Sequence, residues 1–177
     1  MQRISVFCGS YIGNDPRFAR KARLLGAYLA EKKIELVYGG THIGLMGVLA
    51  DSVLEQGGSV EGIIPDLLEE MKIAHKGLTR LVKVPDMDTR KKLLIENSDT
   101  LLAFPGGYGT MDELFTALVR KQLGEIDKPI FLFNAYGFYD PLLAQLERMS
   151  ALGFLKEGYR EYLQVLSDDD ELEDYLV

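Results

Sequence analysis

The stretch "DTLLAFPGGYGTMDELF", residues 99–115, decides how the rest of the chain is read. An apolar run is followed at once by a proline, three glycines and a segment with helical periodicity. A short buried strand that breaks into a bare turn and re-forms as a helix is the repeating unit of parallel α/β proteins. Glycine at such a turn has two explanations. Either the turn itself requires it, or something must approach the backbone where a side chain would obstruct.

The same unit recurs on both sides. "RISVFC" reads as a strand before "DPRFARKARLLGAYLAEKK", an amphipathic helix with Pro16 suited to its first turn. "IELVY" precedes the helix "GLMGVLADSVLEQ", which Gly57 and Gly58 close. "SVEGIIP" and "LTRLVKV" are further strands, separated by a polar segment from Asp66 to Gly77 with no clear pattern. "DMDTRKKLLIENS" reads as the helix before residue 99, and the helix after the glycines runs to about Leu123. "KPIFLFN", the helix "YDPLLAQLERMSALG", a short strand at "YLQVLS" and an acidic helix complete the chain. Strands rich in Val, Ile, Leu and Phe without clean alternation suit a sheet buried on both faces, and the helices supply the crossovers that parallel strands need. The expected fold is a three-layer, Rossmann-like α/β fold with a mainly parallel sheet of about seven strands. Residues 1–177 form one domain in this reading.

Composition narrows the function. The chain is 47% hydrophobic and carries a formal net charge of -7, which opposes binding to nucleic acid through phosphate neutralisation. Asp168, Asp169, Asp170, Glu171, Glu173 and Asp174 hold most of that excess and read as a solvated last helix with acids at its start. No apolar run is long enough to span a bilayer, and "MQRISVFCGS" lacks the apolar core of a signal peptide. With a single cysteine, Cys8, there is no internal disulfide, and a cytoplasmic location is expected. His42 and His75 are the only histidines, and no cluster has metal-ligand spacing, so neither metal nor cofactor is expected. Cys8, Phe18 and Tyr28 are most simply core residues.

Three strand ends carry glycine turns: "FCGSYIGND", "VYGGTHIGLMG" and "FPGGYGTMDE". In a parallel sheet these lie on one edge, where ligands bind outside the strand C-termini. Gly106, Gly107 and Gly109 could take positive φ and present N–H groups outward. A helix starting near Thr110 would add its free N–H groups and dipole, a setting that favours phosphate. No Gly-Lys-Ser/Thr follows, so this is not a Walker A loop, and Asp112 stands where a dinucleotide fingerprint needs its third glycine. A mononucleotide or sugar phosphate fits best. In "DMDTRKK", Asp86 or Asp88 caps a helix whose first turn holds Arg90, Lys91 and Lys92, cations that an anion at the crevice would offset. Glu113 has two readings. With Thr110 it matches a capping box, and as a carboxylate beside a phosphate-sized nest it could serve chemistry.

"CGSYIG", "YGGTHIGLMG", "DMDTRK" and "PGGYGTMDEL" together resemble the Lonely Guy family of cytokinin riboside 5′-monophosphate phosphoribohydrolases, older members of which were labelled lysine decarboxylases. The resemblance implies hydrolysis of the N-glycosidic bond of AMP-like nucleotides to free base and ribose 5-phosphate. It implies Arg90 and Glu113 as the catalytic pair and Lys91 as a companion cation. It places the nucleotide against Gly106, Gly107, Tyr108, Gly109, Thr110, Met111 and Asp112. Homodimers, or larger assemblies of dimers, are implied too, with no membrane or nucleic-acid partner. The chain departs from the family at Thr41, Lys72, Asp88, Val119 and Arg120, where glycine, glutamate, histidine and a Thr-Trp pair are usual. Charge at Lys72 and Arg120 suggests a weakened preference for apolar N6 substituents. The main alternative is a non-catalytic nucleotide- or molybdenum-cofactor-binding carrier on the same fold. A pyridoxal-phosphate decarboxylase fits poorly, because no lysine stands out as a Schiff-base site.

Overall fold

A computed structural model describes residues 2–156 and 158–167. The strands are β1 (Arg3–Phe7), β2 (Glu35–Tyr38), β3 (Val60–Pro65), β4 (Arg80–Val84), β5 (Thr100–Ala103), β6 (Ile130–Phe133) and β7 (Gln164–Leu166). The helices are α1 (Pro16–Glu31), α2 (Gly44–Glu55), α3 (Asp66–Glu70), α4 (Met87–Glu96), α5 (Tyr108–Gln122) and α6 (Asp140–Ala151). The unpatterned segment after β3 thus contains a five-residue helix, α3. The acidic helix expected after β7 lies outside the described residues.

The seven strands form one sheet in the order β4-β3-β2-β1-β5-β6-β7, with every neighbouring pair parallel. The chain winds outward from β1 in one direction, then returns to β5 on its other side. That reversal opens a crevice beyond the C-terminal ends of β1 and β5, because the connections leaving these two strands go to opposite faces.

Alternate residues of the central strands feed two cores. Ile4, Val6, Leu36, Tyr38 and Leu102 pack on one face with Leu25, Leu29, Leu49 and Val53 of α1 and α2. Phe7, Val37, Leu101 and Ala103 pack on the other with Leu94 of α4, Leu114 of α5 and Leu146 of α6. This double burial explains the near-continuous apolar runs. Each large aliphatic side chain so buried contributes about 1.5–3 kcal/mol.

Local chemistry sets the helix boundaries. Asp15 caps α1 by accepting from the Arg17 N–H at 2.9 Å, with Pro16 in the first turn as expected. Gly26 lets α1 approach α2, since a β-carbon there would lie 2.7 Å from Ser52 Cβ. At the opposite edge of the sheet from the crevice, the fully buried Glu61 is paired with Arg3 at 2.8 Å and with Arg80, and accepts from Asn97 Nδ2 at 2.7 Å. This network ties the starts of β1, β3 and β4 to the end of α4 without entering the crevice. No helix of the described residues is long and apolar enough to cross a membrane.

Candidate active site

The three glycine turns meet where the sequence places them, on the C-terminal edge of the sheet. The Gly9 N–H donates to the Pro105 carbonyl at 3.1 Å and the Met46 N–H to the Gly9 carbonyl at 3.3 Å, so the turns after β1 and β5 and the start of α2 are joined. The Tyr139 hydroxyl braces the turn after β5 by donating to the Phe104 carbonyl at 2.8 Å. Between them lies a cavity of about 860 Å³.

Gly106, Gly107 and Gly109 differ in what they do. None takes a positive φ, contrary to expectation. A β-carbon on Gly106 would overlap the Thr110 Oγ1 and lie 2.8 Å from the Gly9 nitrogen, so this glycine is needed for packing. At Gly107 and Gly109 a β-carbon would meet nothing within 4 Å. Their bareness leaves open space at the N-terminus of α5, where free N–H groups and the helix dipole attract an anion.

The helix starts earlier than Thr110. Gly107 is the N-cap of α5, with no side-chain cap, and Thr110 is the third helical residue. The capping-box reading of Thr110 and Glu113 is therefore wrong. Glu113 sits in the second turn, one turn too far along to reach the N-cap amide. Thr110 is buried with its hydroxyl against Gly106, and the residue lines the cavity.

α4 supplies the opposite charge. Asp86, not Asp88, caps it by accepting from the Thr89 N–H at 2.7 Å, and that bond holds the Asp86 carboxyl below its usual range. Arg90 falls in the first turn, whereas Lys91 and Lys92 begin the second, so the expected cluster of three first-turn cations is reduced to one. Arg90 Nη1 donates to Glu113 Oε1 at 2.7 Å, and Arg90 Nε donates to the Ile63 carbonyl at 3.2 Å. Both side chains of the pair are buried, and both line the cavity. Burial raises the Glu113 carboxyl above its ordinary range, opposed by the charge and hydrogen bond of Arg90.

Of the other expected site residues, Tyr108 is fully exposed at the cavity rim. Lys91, Met111 and Asp112 stand outside the wall. Lys91 Nζ is held by Asp112 at 3.0 Å and by Asp88 at 3.2 Å, and the Asp112 bond raises its pKa. Met111 packs against the second core. Among the departures, only Thr41 lines the cavity, its hydroxyl 3.6 Å from the Met46 sulfur. Val119 is exposed far along α5, Arg120 is paired with Glu96 and Glu125, and Lys72 lies on the far side of the segment that carries Met71 and Ile73. Neither Lys72 nor Arg120 therefore lines the cavity.

Cys8 is a buried filler as expected, its thiol pushed well above the usual range by burial and by the Glu113 charge. Phe18 is not simply core. It lines the cavity and makes edge contacts with Tyr136 and Phe138 at 5.6 and 5.7 Å between centroids. Sequence reasoning also missed the Ile63 carbonyl, which no residue type signals, and the apolar wall from Leu68, Met71, Ile73 and Met87. Among the described residues, no group of His, Cys, Asp and Glu could hold a metal ion.

A family described as possible lysine decarboxylase matches residues 46–176. A probable cytokinin riboside 5′-monophosphate phosphoribohydrolase of Oryza sativa subsp. japonica is 45% identical over 161 residues, covering 91% of this chain and 72% of that protein. The chain belongs to the Lonely Guy family. Its bacterial relative from Rhodococcoides fascians, a cytokinin riboside 5′-monophosphate phosphoribohydrolase, is 40% identical over 93% of this chain and 84% of its own. Solved structures share the fold at lower identity. The molybdenum cofactor binding protein of Rippkaea orientalis superposes with a TM-score of 0.75 at 20% identity, covering 99% of this chain and 94% of its own. The carrier protein from Chlamydomonas reinhardtii gives 0.68 at 21%, covering 94% and 90%. The architecture is thus common to Lonely Guy enzymes and cofactor carriers, and only the site can separate them.

Proposed function

We propose that this chain hydrolyses the N-glycosidic bond of AMP and of N6-substituted AMP, releasing the base and ribose 5-phosphate. The observation that carries the reading is the buried Arg90–Glu113 pair in a cavity wall next to the open nest at Gly107 and Gly109. The 5′-phosphate sits on the α5 N-terminus, held by backbone N–H groups and the Thr110 hydroxyl. Breaking the C1′–N9 bond builds positive charge on the ribose, which the Glu113 carboxylate stabilises while holding the ribose hydroxyls or the attacking water. Arg90 assists departure of the electron-rich base. Phosphate binding, remote from the reacting bond, positions the sugar. The wall of Leu45, Met46, Leu68, Met71, Ile73 and Met87 supports an apolar N6 substituent, in place of the weakened preference expected from Lys72 and Arg120.

Self-association belongs to the same reading. Tyr108, Phe115, Val119 and Leu123 leave an exposed apolar stripe along α5 that begins at the cavity rim, and a second copy would cover it.

The test is incubation with AMP, N6-isopentenyl-AMP and adenosine, followed by chromatography of the free bases. Release from both nucleotides and little from adenosine is expected. Equal rates on AMP and adenosine would remove the phosphate role of the glycine nest. No release from either nucleotide would turn the reading to a carrier that binds without turnover.

A further inference from the structure

We propose that Gly39, at the end of β2, is the positioning residue of Arg90: its missing side chain is the slot in which the guanidinium lies. This rests on the catalytic assignment of Arg90 above but makes a separate claim about what holds it. A β-carbon on Gly39 would overlap Arg90 Nη2, and would also lie 3.1 Å from Arg90 Cζ and 2.9 Å from the Met46 sulfur. The φ of Gly39 is not positive, so the backbone there suits any residue, and the glycine serves space alone.

The guanidinium is held on three sides by three different elements. Nε donates to the Ile63 carbonyl of β3, Nη1 donates to Glu113 of α5, and Nη2 lies over the backbone of Gly39, which directly follows β2. The first two contacts leave the Nη2 N–H groups without a protein acceptor among the described hydrogen bonds, although Arg90 is only 5% exposed. The two Nη2 N–H groups, with the second N–H of Nη1, are then left for the ligand, and the plane of the fork is fixed before any ligand arrives. A methyl group at position 39 would push that plane away from β2. Moving the guanidinium off β2 strains the hydrogen bonds from Nε to Ile63 and from Nη1 to Glu113.

The experiment uses Gly39→Ala, Arg90→Lys and the double variant, measuring kcat and KM for N6-isopentenyl-AMP together with melting temperature. Lysine carries no group at the Nη2 position, so it vacates the slot while keeping the charge. The expected result is that Gly39→Ala alone loses about a hundredfold in kcat, the scale of a misplacement of about 1 Å. Its melting temperature falls as well. In the Arg90→Lys background the same change costs much less in both quantities, the close Met46 sulfur being the contact that remains. If Gly39→Ala does not fold, Arg90→Lys should restore folding. Wild-type kcat in Gly39→Ala, equal losses in both backgrounds, or no recovery of folding would each overturn the proposal. Wild-type activity in Arg90→Lys would instead overturn the catalytic role of Arg90, while the melting temperatures still report whether the slot exists.

Discussion

Arg90 and Glu113 lie 23 residues apart in the chain and meet at 2.7 Å, guanidinium to carboxylate, with both side chains removed from bulk water. Because Gly107 is the N-cap of α5, Glu113 has no capping duty to confuse its role.

Glu113→Gln is therefore a clean probe of chemistry. Glutamine keeps an acceptor for Arg90 Nη1 but supplies no negative charge to a cationic transition state. Turnover should fall about 10²–10³-fold, in line with removal of one preorganised electrostatic group. Loss of the charge should leave the melting temperature near wild type, because burial already favours the neutral carboxyl over the ionised one despite Arg90. Thermal melts and base-release assays measure both, and full activity in this variant would refute the mechanism.

The pH dependence follows from the same carboxylate. Its folded pKa is raised above the ordinary glutamate value of 4.5, burial being the main cause. The protonated form is thus the better tolerated one in the fold. The stability this contributes is complete below 4.5 and is lost as pH rises through the raised value. Activity needs the ionised form, so kcat/KM should decline on acidification at a pH above that of an ordinary glutamate. A pH–rate profile checks this, and the residual activity of Glu113→Gln should lack that limb.

The glycines after β5 should separate by phenotype. Gly109→Val faces open space in the free protein, so its melting temperature should stay near wild type while KM rises through loss of phosphate access. Gly106→Ala has no such space. It should destabilise by about 1–3 kcal/mol, as over-packing against Thr110 and Gly9 does. Kinetics and thermal melts on the two variants decide between them. A stable Gly106→Ala or a wild-type KM in Gly109→Val would contradict these roles.

The α5 stripe predicts a particle at least twice the chain mass of 19.8 kDa by light scattering at micromolar concentration. Phe115→Glu with Leu123→Glu places two charges on that stripe and should shift the particle toward one chain. A single-chain mass for the unaltered protein would remove self-association from the functional reading.

Much of this was legible from local sequence. Strand–glycine–helix units were readable because a doubly buried parallel strand is mostly apolar, as at Leu101, Leu102 and Ala103 and at Ile130–Phe133, and because Pro16 suits a first helical turn. Those local rules, with the resemblance of the motifs, brought Arg90, Glu113 and the glycine nest together as one site. They misplaced the N-cap of α5 by three residues. Thr110 is a good N-cap in isolation, yet the start of α5 lies at Gly107–Tyr108, and Gly106 is pressed against Gly9 of another loop. Tertiary structure alone decided which atoms surround the guanidinium. Gly39, Ile63 and Glu113 come from the end of β2, from β3 and from α5, and a carbonyl or an absent side chain has no signature in the chain until packing brings another group against it.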